Sequence, residues 1–474
     1  MIDLSFAKGQ VWAVMGLGKS GLMAARALAA AGADVRAWDD TADRRAAAEA
    51  VPGVHLVDLT ADGLEGAVAL VLSPGIPHTH PKPHPAAAAA KALGVPIVGD
   101  VELLLRALPQ GAGARRIVAI TGTNGKSTTT ALIGHILTNA GVAVEVGGNL
   151  GRPALDFNDP GPGGVIVLEL SSYQLEITPS LAPDVAVWLN LSPDHIERHG
   201  NLAGYIAAKR RMFTKQSSTA LAVVGVDDAP SESVAEDLRQ LGRRVLEISG
   251  TWHVVGGVYG SNGVLVDGRT GRPETILELS SAPALPGPHN AQNAAAAYAA
   301  CIGLKIERAA IISGIRSFPG LAHRQERVAE AGPVTYVNDS KATNADAAAR
   351  ALSCYDPIYW IAGGQAKEGG IAGLSDYFPQ VRRAYLIGES ASLFARQIGD
   401  ACPAVLCRTL ESAVKQAHAD ATKDGIPGAV VLLSPAAASW DQFTSFEARG
   451  DRFRSLVLDL LQPETGSNGK QVAL

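Results

Sequence analysis

Arg116-Ile117-Val118-Ala119-Ile120-Thr121-Gly122-Thr123-Asn124-Gly125-Lys126-Ser127-Thr128-Thr129-Thr130 is the stretch on which the reading of this chain turns. Arg116 to Ile120 is apolar and β-branched, as in a buried parallel strand, and Ala131 to Ala140 has helical periodicity ending at Gly141. The order is strand, glycine-rich loop, helix. Such a loop presents backbone N–H groups at a positive helix N-terminus, which suits phosphate. Lys126 adds a charge that can reach a β- or γ-phosphate, and Ser127 a hydroxyl for Mg²⁺. Position 120 is Ile where the strict phosphate-loop pattern has Gly, so the reading rests on Gly122-x-x-Gly125-Lys126-Ser127 in its strand-to-helix setting.

Upstream, the strand Gln10 to Met15 runs into Gly16-Leu17-Gly18-Lys19-Ser20-Gly21 and a helix from Leu22 to Ala31. A second strand, Asp34 to Trp38, delivers Asp39 and Asp40, the first of them 18 residues past the last glycine. This is G-x-G-x-x-G in its βαβ place. The loop holds a diphosphate whatever nucleoside is attached, so NAD, FAD and a nucleoside-diphosphate sugar all remain open. Val68 to Leu72 reads as a further strand ending in Ser73-Pro74-Gly75-Ile76, at the sheet edge where ligands sit. Pro77 to Pro85, with four prolines and three histidines, reads as a loop.

Downstream, Gly147-Gly148-Asn149-Leu150-Gly151 is a turn that lets backbone approach a ligand. The strand Gly164 to Leu168 delivers Glu169, a candidate Mg²⁺ ligand beside the phosphate loop. The strand Asp184 to Leu189 ends in Asn190-Leu191-Ser192-Pro193-Asp194-His195, and the following helix carries Lys209-Arg210-Arg211. Residues 217–285 show short strands and turns without evident chemistry. Asn290 and Asn293 share one face at the start of an Ala-rich helix, where they either cap it or touch a ligand. Boundaries fall at Pro109-Gln110-Gly111-Ala112-Gly113 and at Ser317-Phe318-Pro319-Gly320. Beyond the second, strands at Val334–Val337, Ile358–Ala362, Ala384–Ile387 and Ala429–Leu433 each end in a small-polar turn, two of which carry lysine (Lys341 and Lys367).

At 474 residues the chain has room for about three domains. Its net charge of -5 gives no electrostatic footprint for nucleic acid or an anionic membrane. No run of about 18 uncharged apolar residues predicts a membrane span. The four cysteines form no C-x-x-C pair and no zinc pattern with histidine, which predicts reduced thiols in the cytoplasm.

These motifs resemble, over essentially the whole chain, those of the Mur ligases of peptidoglycan synthesis. Thr121 to Ser127 and Gly287-Pro288-His289-Asn290-x-x-Asn293 match the wider family. Glu169-Leu170-Ser171-Ser172-Tyr173-Gln174-Leu175, Asn338-Asp339-Ser340-Lys341-Ala342-Thr343-Asn344 and the run Leu433 to Gly450 match its D-glutamate-adding branch. The resemblance implies an α/β protein of three domains. These are a Rossmann-like UDP-substrate domain over 1–110, a P-loop ATPase-like parallel-sheet domain for ATP over 111–319, and a Rossmann-like amino-acid domain over 320–474. It implies an ATP-dependent ligase that adds D-glutamate to UDP-N-acetylmuramoyl-L-alanine through an acyl phosphate, working as a monomer with two Mg²⁺.

By the same likeness Gly16, Leu17, Gly18, Lys19, Ser20, Asp39, Asp40, Ser73 and Asn149 serve the UDP substrate. Gly122, Thr123, Asn124, Gly125, Lys126, Ser127, Thr128, Asn290, Asn293, Arg324 and Asp339 serve ATP. Lys341, Thr343, Lys367, Ser439 and Phe446 serve the amino acid, with Glu368 and Trp440 departing from the usual neighbours. Ser127, Glu169, His195 and a carbamylated Lys209 match metal positions, and Lys126, His195 and Lys209 carry the catalytic assignment.

Overall fold

Strands that alternate with helices must cross over to pair in parallel, and each crossover returns the loops to one sheet edge. The computed structural model describes residues 2–60, 62–109, 114–149 and 151–462 and builds three sheets in this way. Gln110 to Gly113, in the first expected boundary, and Leu150, in the glycine-rich turn, lie outside the described residues.

Two compact units divide the chain, Met1–Phe318 and Pro319–Leu474. The first holds two sheets. One is fully parallel, with strands in the order Val54–Leu56, Asp34–Trp38, Val11–Met15, Ala67–Leu72 and Ile97–Val98. Its order reverses beside Val11–Met15, the switch point at which α/β sheets bind ligands, and there the Gly16 loop and Ser73 emerge. The other sheet has nine strands. Third from one edge, Arg116–Thr121 is flanked by Val165–Glu169 and Val185–Trp188, all parallel, so the ends at Thr121, Glu169 and Trp188 are neighbours. One apolar cluster joins the two sheets, running from Leu28 and Val35 through Leu104 to Ile166 and Trp188.

The second unit has six strands in the order Glu326–Ala331, Val334–Asn338, Ala429–Leu433, Ile358–Gly363, Val381–Ile387 and Ala404–Arg408, parallel except for the first. The loops after Asn338, Leu433 and Gly363 therefore leave three adjacent strand ends.

The helix expected from Ala131 begins five residues earlier and runs Lys126–Asn139. Gly125, at φ +82°, turns the chain into it, and burial of Ser127 through Thr130 overrides the weak helix propensity of those polar and β-branched residues. The first helix likewise starts at Lys19 rather than Leu22. Within 217–285 the helix Ala229–Gln240 was not expected. Its signals are Asp228, whose side chain accepts the Ser231 N–H, and a proline in the first turn. Glu326–Ala331, an edge strand that carries charged residues, and Ala404–Arg408, an edge strand with a single buried residue, also escaped the pattern.

The helix Lys19–Ala30 packs so closely on the Gly16 turn that a Cβ at Gly21 would lie 1.7 Å from the Gly16 carbonyl oxygen. Gly21→Ala is expected to destabilise the first unit by on the order of 1–3 kcal/mol through overpacking. Urea unfolding checks this, and a variant as stable as the parent would contradict the close approach.

Candidate active site

The phosphate loop is held open by its neighbours. Asn190, at the end of Val185–Trp188, accepts the Asn124 N–H at 2.9 Å, and its own amide donates to Gln292 at 2.8 Å. Asn293 accepts from Thr129 Oγ1 at 3.1 Å and donates to Asn290 Oδ1 at 2.9 Å, while Asn290 donates to the Pro286 carbonyl at 2.7 Å. A Cβ at Gly125 would meet Asn293 Oδ1 at 2.3 Å, so glycine is required there by space as well as by its positive φ. Of the two roles open to the asparagine pair, these contacts show a third: bracing the helix that starts at Lys126. Lys126 folds over its own loop and donates to the Gly122 and Thr123 carbonyls at 2.9 and 2.8 Å.

Lys209 reaches the same loop from below. Its side chain is almost fully buried, and Nζ donates to the Gly122 carbonyl at 2.8 Å and Thr121 Oγ1 at 3.2 Å, 4.8 Å from the Tyr205 ring centroid. Burial, reinforced by the charge of Lys126, holds its pKa well below the ordinary lysine range. Glu169 Oε1 accepts from Asn149 at 2.7 Å, and its buried Oε2 has no hydrogen-bond partner. A buried carboxylate oxygen left this way calls for a cation. His195 adopts φ +51°, stands 3.4 Å from Asp194 and lies against Tyr173 with ring centroids 5.2 Å apart. Partial burial lowers its pKa, which favours the neutral imidazole a metal needs.

Lys126, Asn149, His195 and Lys209 line one pocket of about 250 Å³ with Pro74 and Gly75, which come from the edge of the first sheet. The edge of the first sheet and the edge that carries the Gly122 loop thus line one cavity. Among the described residues no group of three or more His, Cys, Asp or Glu side chains converges on a metal position, so any ion here depends on a mixed donor set. A larger pocket of about 600 Å³, between Gly250 and Ala291, carries no charged side chain and does not touch Lys126 or Lys209.

At the first sheet, Asp39 accepts the Leu17 N–H at 2.6 Å and the Thr41 N–H at 2.8 Å, and Ser73 Oγ donates to the Gly16 carbonyl at 2.8 Å. Asp40 turns away to His84, at 3.1 Å. Tyr205 is the main residue that sequence reading missed: it is buried, bonds Thr123 Oγ1 at 3.2 Å and lines the pocket. Its place on the helix Leu202–Arg210 has no motif to mark it.

In the second unit, Asp339 accepts from Ser434 Oγ at 2.8 Å and the Gln325 N–H at 3.2 Å. Lys341 Nζ lies 5.4 Å from the Phe446 ring centroid. Ser439 is buried on the loop after Ala429–Leu433, and Lys367 follows Ile358–Gly363, so the candidate amino-acid residues occupy neighbouring strand ends.

Family models match three successive parts of the chain: a Mur ligase MurD-like N-terminal domain over 10–99, a Mur ligase middle domain over 120–301 and a Mur ligase glutamate ligase domain over 323–437. The chain is 53% identical to the UDP-N-acetylmuramoylalanine--D-glutamate ligase of Rhodospirillum rubrum, with 97% of each chain covered. This chain belongs to the Mur ligase family. The enzyme of the same name from Caulobacter vibrioides is 50% identical over 99% of each chain. Among solved structures, the Mur ligase fold is shared with the UDP-N-acetylmuramate-alanine ligase MurC of Thermotoga maritima, at a TM-score of 0.57, 17% identity and coverage of 95% and 99%. A MurF ligase from Acinetobacter baumannii matches with a TM-score of 0.56, 17% identity and coverage of 97% and 92%.

Burial pushes the Asp339 carboxyl up to about 7, against the lowering effect of Ser434 and Arg324. A carboxyl whose folded pKa exceeds its unfolded value of 3.8 binds more proton in the native state between those limits. Its contribution to stability therefore falls as pH rises from about 4 to 7. Subtracting urea stabilities of Asp339→Asn from those of the parent across that window should give a difference that declines with pH; a flat or rising difference would refute the shift.

Proposed function

We propose that this chain joins D-glutamate to UDP-N-acetylmuramoyl-L-alanine with cleavage of ATP to ADP and phosphate. The observation that carries the reading is the single pocket in which Lys126 of the phosphate loop meets Asn149, His195 and the Pro74-Gly75 turn of the diphosphate-binding sheet. The names of relatives at 50–53% identity over nearly full length support the same substrates. The domain roles follow: residues 1–110 hold the UDP moiety, 111–319 the ATP, and 320–474 the glutamate.

A carboxylate is a poor electrophile because it has no leaving group and repels anionic partners. Transfer of the γ-phosphoryl group to the terminal carboxylate of the muramoyl-alanine gives an acyl phosphate, and attack by the glutamate amine then forms the amide and expels phosphate. Lys126, released from its loop carbonyls, neutralises charge on the transferring group, and the N–H groups of Thr123 to Ser127 orient it. Arg324, Asp339, Asn290, Asn293 and Thr128 serve the nucleotide, and Lys341, Thr343, Lys367, Ser439 and Phe446 the incoming glutamate. Gly16, Leu17, Gly18, Lys19, Ser20, Asp39, Asp40 and Ser73 serve the UDP end.

Ser127, Glu169, His195 and Lys209 fit a Mg²⁺ pair, because Glu169 has an unpartnered buried oxygen and Lys209 a depressed pKa suited to carbamylation. Bound there, Mg²⁺ would screen phosphate charge. The chain acts as a cytoplasmic monomer on small molecules; no helix among its described residues is long and apolar enough to cross a membrane.

Phosphate release should require ATP, Mg²⁺, UDP-N-acetylmuramoyl-L-alanine and D-glutamate together, and Lys126→Ala should lower it by at least about 10³-fold while leaving the unfolding midpoint unchanged. Release with L-glutamate alone, or substantial activity of Lys126→Ala, would overturn the reading. Lys209→Ala is expected to be inactive and to recover in part with added acetate or bicarbonate, which replaces the missing carboxylate; full activity without rescue would exclude the carbamate.

A further inference from the structure

Behind the pocket lies a buried cluster with no assigned role. Arg198 stands three residues after His195 on the one-turn helix Ile196–His199 and is only 7% exposed. Its Nη1 lies 3.2 Å from Glu176 Oε2 and donates to Thr79 Oγ1 at 3.3 Å; its Nη2 donates to His78 Nδ1 at 3.0 Å. The guanidinium carbon sits 5.1 Å from the centroid of the Tyr173 ring. A guanidinium only donates, so the His78 nitrogen facing it must be the unprotonated acceptor, which puts the His78 proton on Nε2, toward Glu176. Three chain segments remote in sequence are therefore fixed by one side chain.

Both walls held by this contact belong to the pocket. Tyr173 lines it and lies against His195, while Pro74 and Gly75 line it from the segment that continues into His78 and Thr79. We propose that Arg198 is a positioning residue, a latch that ties the Pro74–Thr79 segment of the substrate-binding sheet to the Tyr173–Glu176 turn. It thereby sets the spacing between the walls where the muramoyl-alanine carboxylate is presented. The inference rests on the substrate reading above. A planar fork is needed to reach Glu176, Thr79 and His78 while lying on an aromatic face, so lysine is no substitute. The UDP loop at Gly16 is anchored through Asp39 and Ser73, which lie outside the Pro74–Thr79 segment.

The test separates positioning from a general structural role. Arg198→Lys should raise KM for UDP-N-acetylmuramoyl-L-alanine by about tenfold or more, since misplacement by an ångström is costly. KM for ATP and the Kd of UDP alone, measured by calorimetry, should stay within about twofold. Arg198→Ala should share the defect and regain part of it with millimolar guanidinium chloride. His78→Ala, which removes one contact and leaves no buried charge unpaired, should give a smaller rise in the same KM and keeps the test decisive if Arg198 variants do not fold. Equal weakening of UDP and the full substrate, or an unchanged KM in the folded variants, overturns the latch. An inactive parent enzyme would instead overturn the substrate reading.

Discussion

A lysine amine buried under an anion-binding loop is the constraint to which the site answers. Lys209 cannot remain charged cheaply in that position, because desolvation opposes the cation and Lys126 repels it. Among the described residues its hydrogen-bond acceptors are Gly122 and Thr121, on the strand end that begins the loop. Glu169, whose charge acts on Lys209, is a carboxylate with one unpartnered oxygen. The site thus brings the Lys126 cation, a lysine whose charge is opposed by burial and a carboxylate with an unpartnered oxygen close together.

The fold was legible wherever a glycine-rich turn followed an apolar run. The Gly16 and Gly122 loops could be placed because each combines a β-branched strand, close backbone packing and a helix start, and no other common arrangement satisfies all three. Lys126 and Ser127 followed from that context. The start of the helix at Lys126 did not, since Ser-Thr-Thr-Thr has poor intrinsic propensity and is helical only because tertiary packing buries it. Tyr205 was invisible for a related reason: on a short helix of mixed composition an aromatic facing a cavity has the same spacing as one facing the core. Glu169 was found as a strand-end acid, but its unpartnered oxygen is a property of three-dimensional burial. Lys209 stood out from Arg210 and Arg211 only by family likeness, and the structure supplies the physical distinction: it is buried, whereas Arg211 is exposed.

The second unit repeats the same logic with a different charge pattern. Its strand order places the turns after Asn338, Leu433 and Gly363 side by side, which brings lysines at 341 and 367 and a serine at 439, scattered across about a hundred residues, to one sheet edge. Asp339 is buried between Ser434 and the Gln325 backbone, and Arg449 beneath it donates to Ser340 and the Ala437 carbonyl. Parts of the Asn338–Asn344 and Leu433–Gly450 motifs are thus bonded to one another, so these residues are dictated by the loop architecture as well as by any ligand.

Hydrogen bonding also explains why the candidate site tolerates so many polar groups without collapsing. Asn124, Asn190 and Gln292 form a continuous chain, which ends on Asp227 at the far side of the sheet edge. Asp227 in turn accepts from Ser249, Gly250 and Thr251, so the loop position is referred to four successive strand ends. A network satisfied at every member rigidifies its surroundings, whereas a partly satisfied one is a place for change. The contrast inside this pocket is informative. The asparagine chain that fixes the backbone of the loop is complete, while Glu169 Oε2 has no partner. The asparagines therefore hold the loop backbone, and Glu169 Oε2, at the strand end paired with Ile120, is one of several buried atoms among the described residues that lack a hydrogen-bond partner.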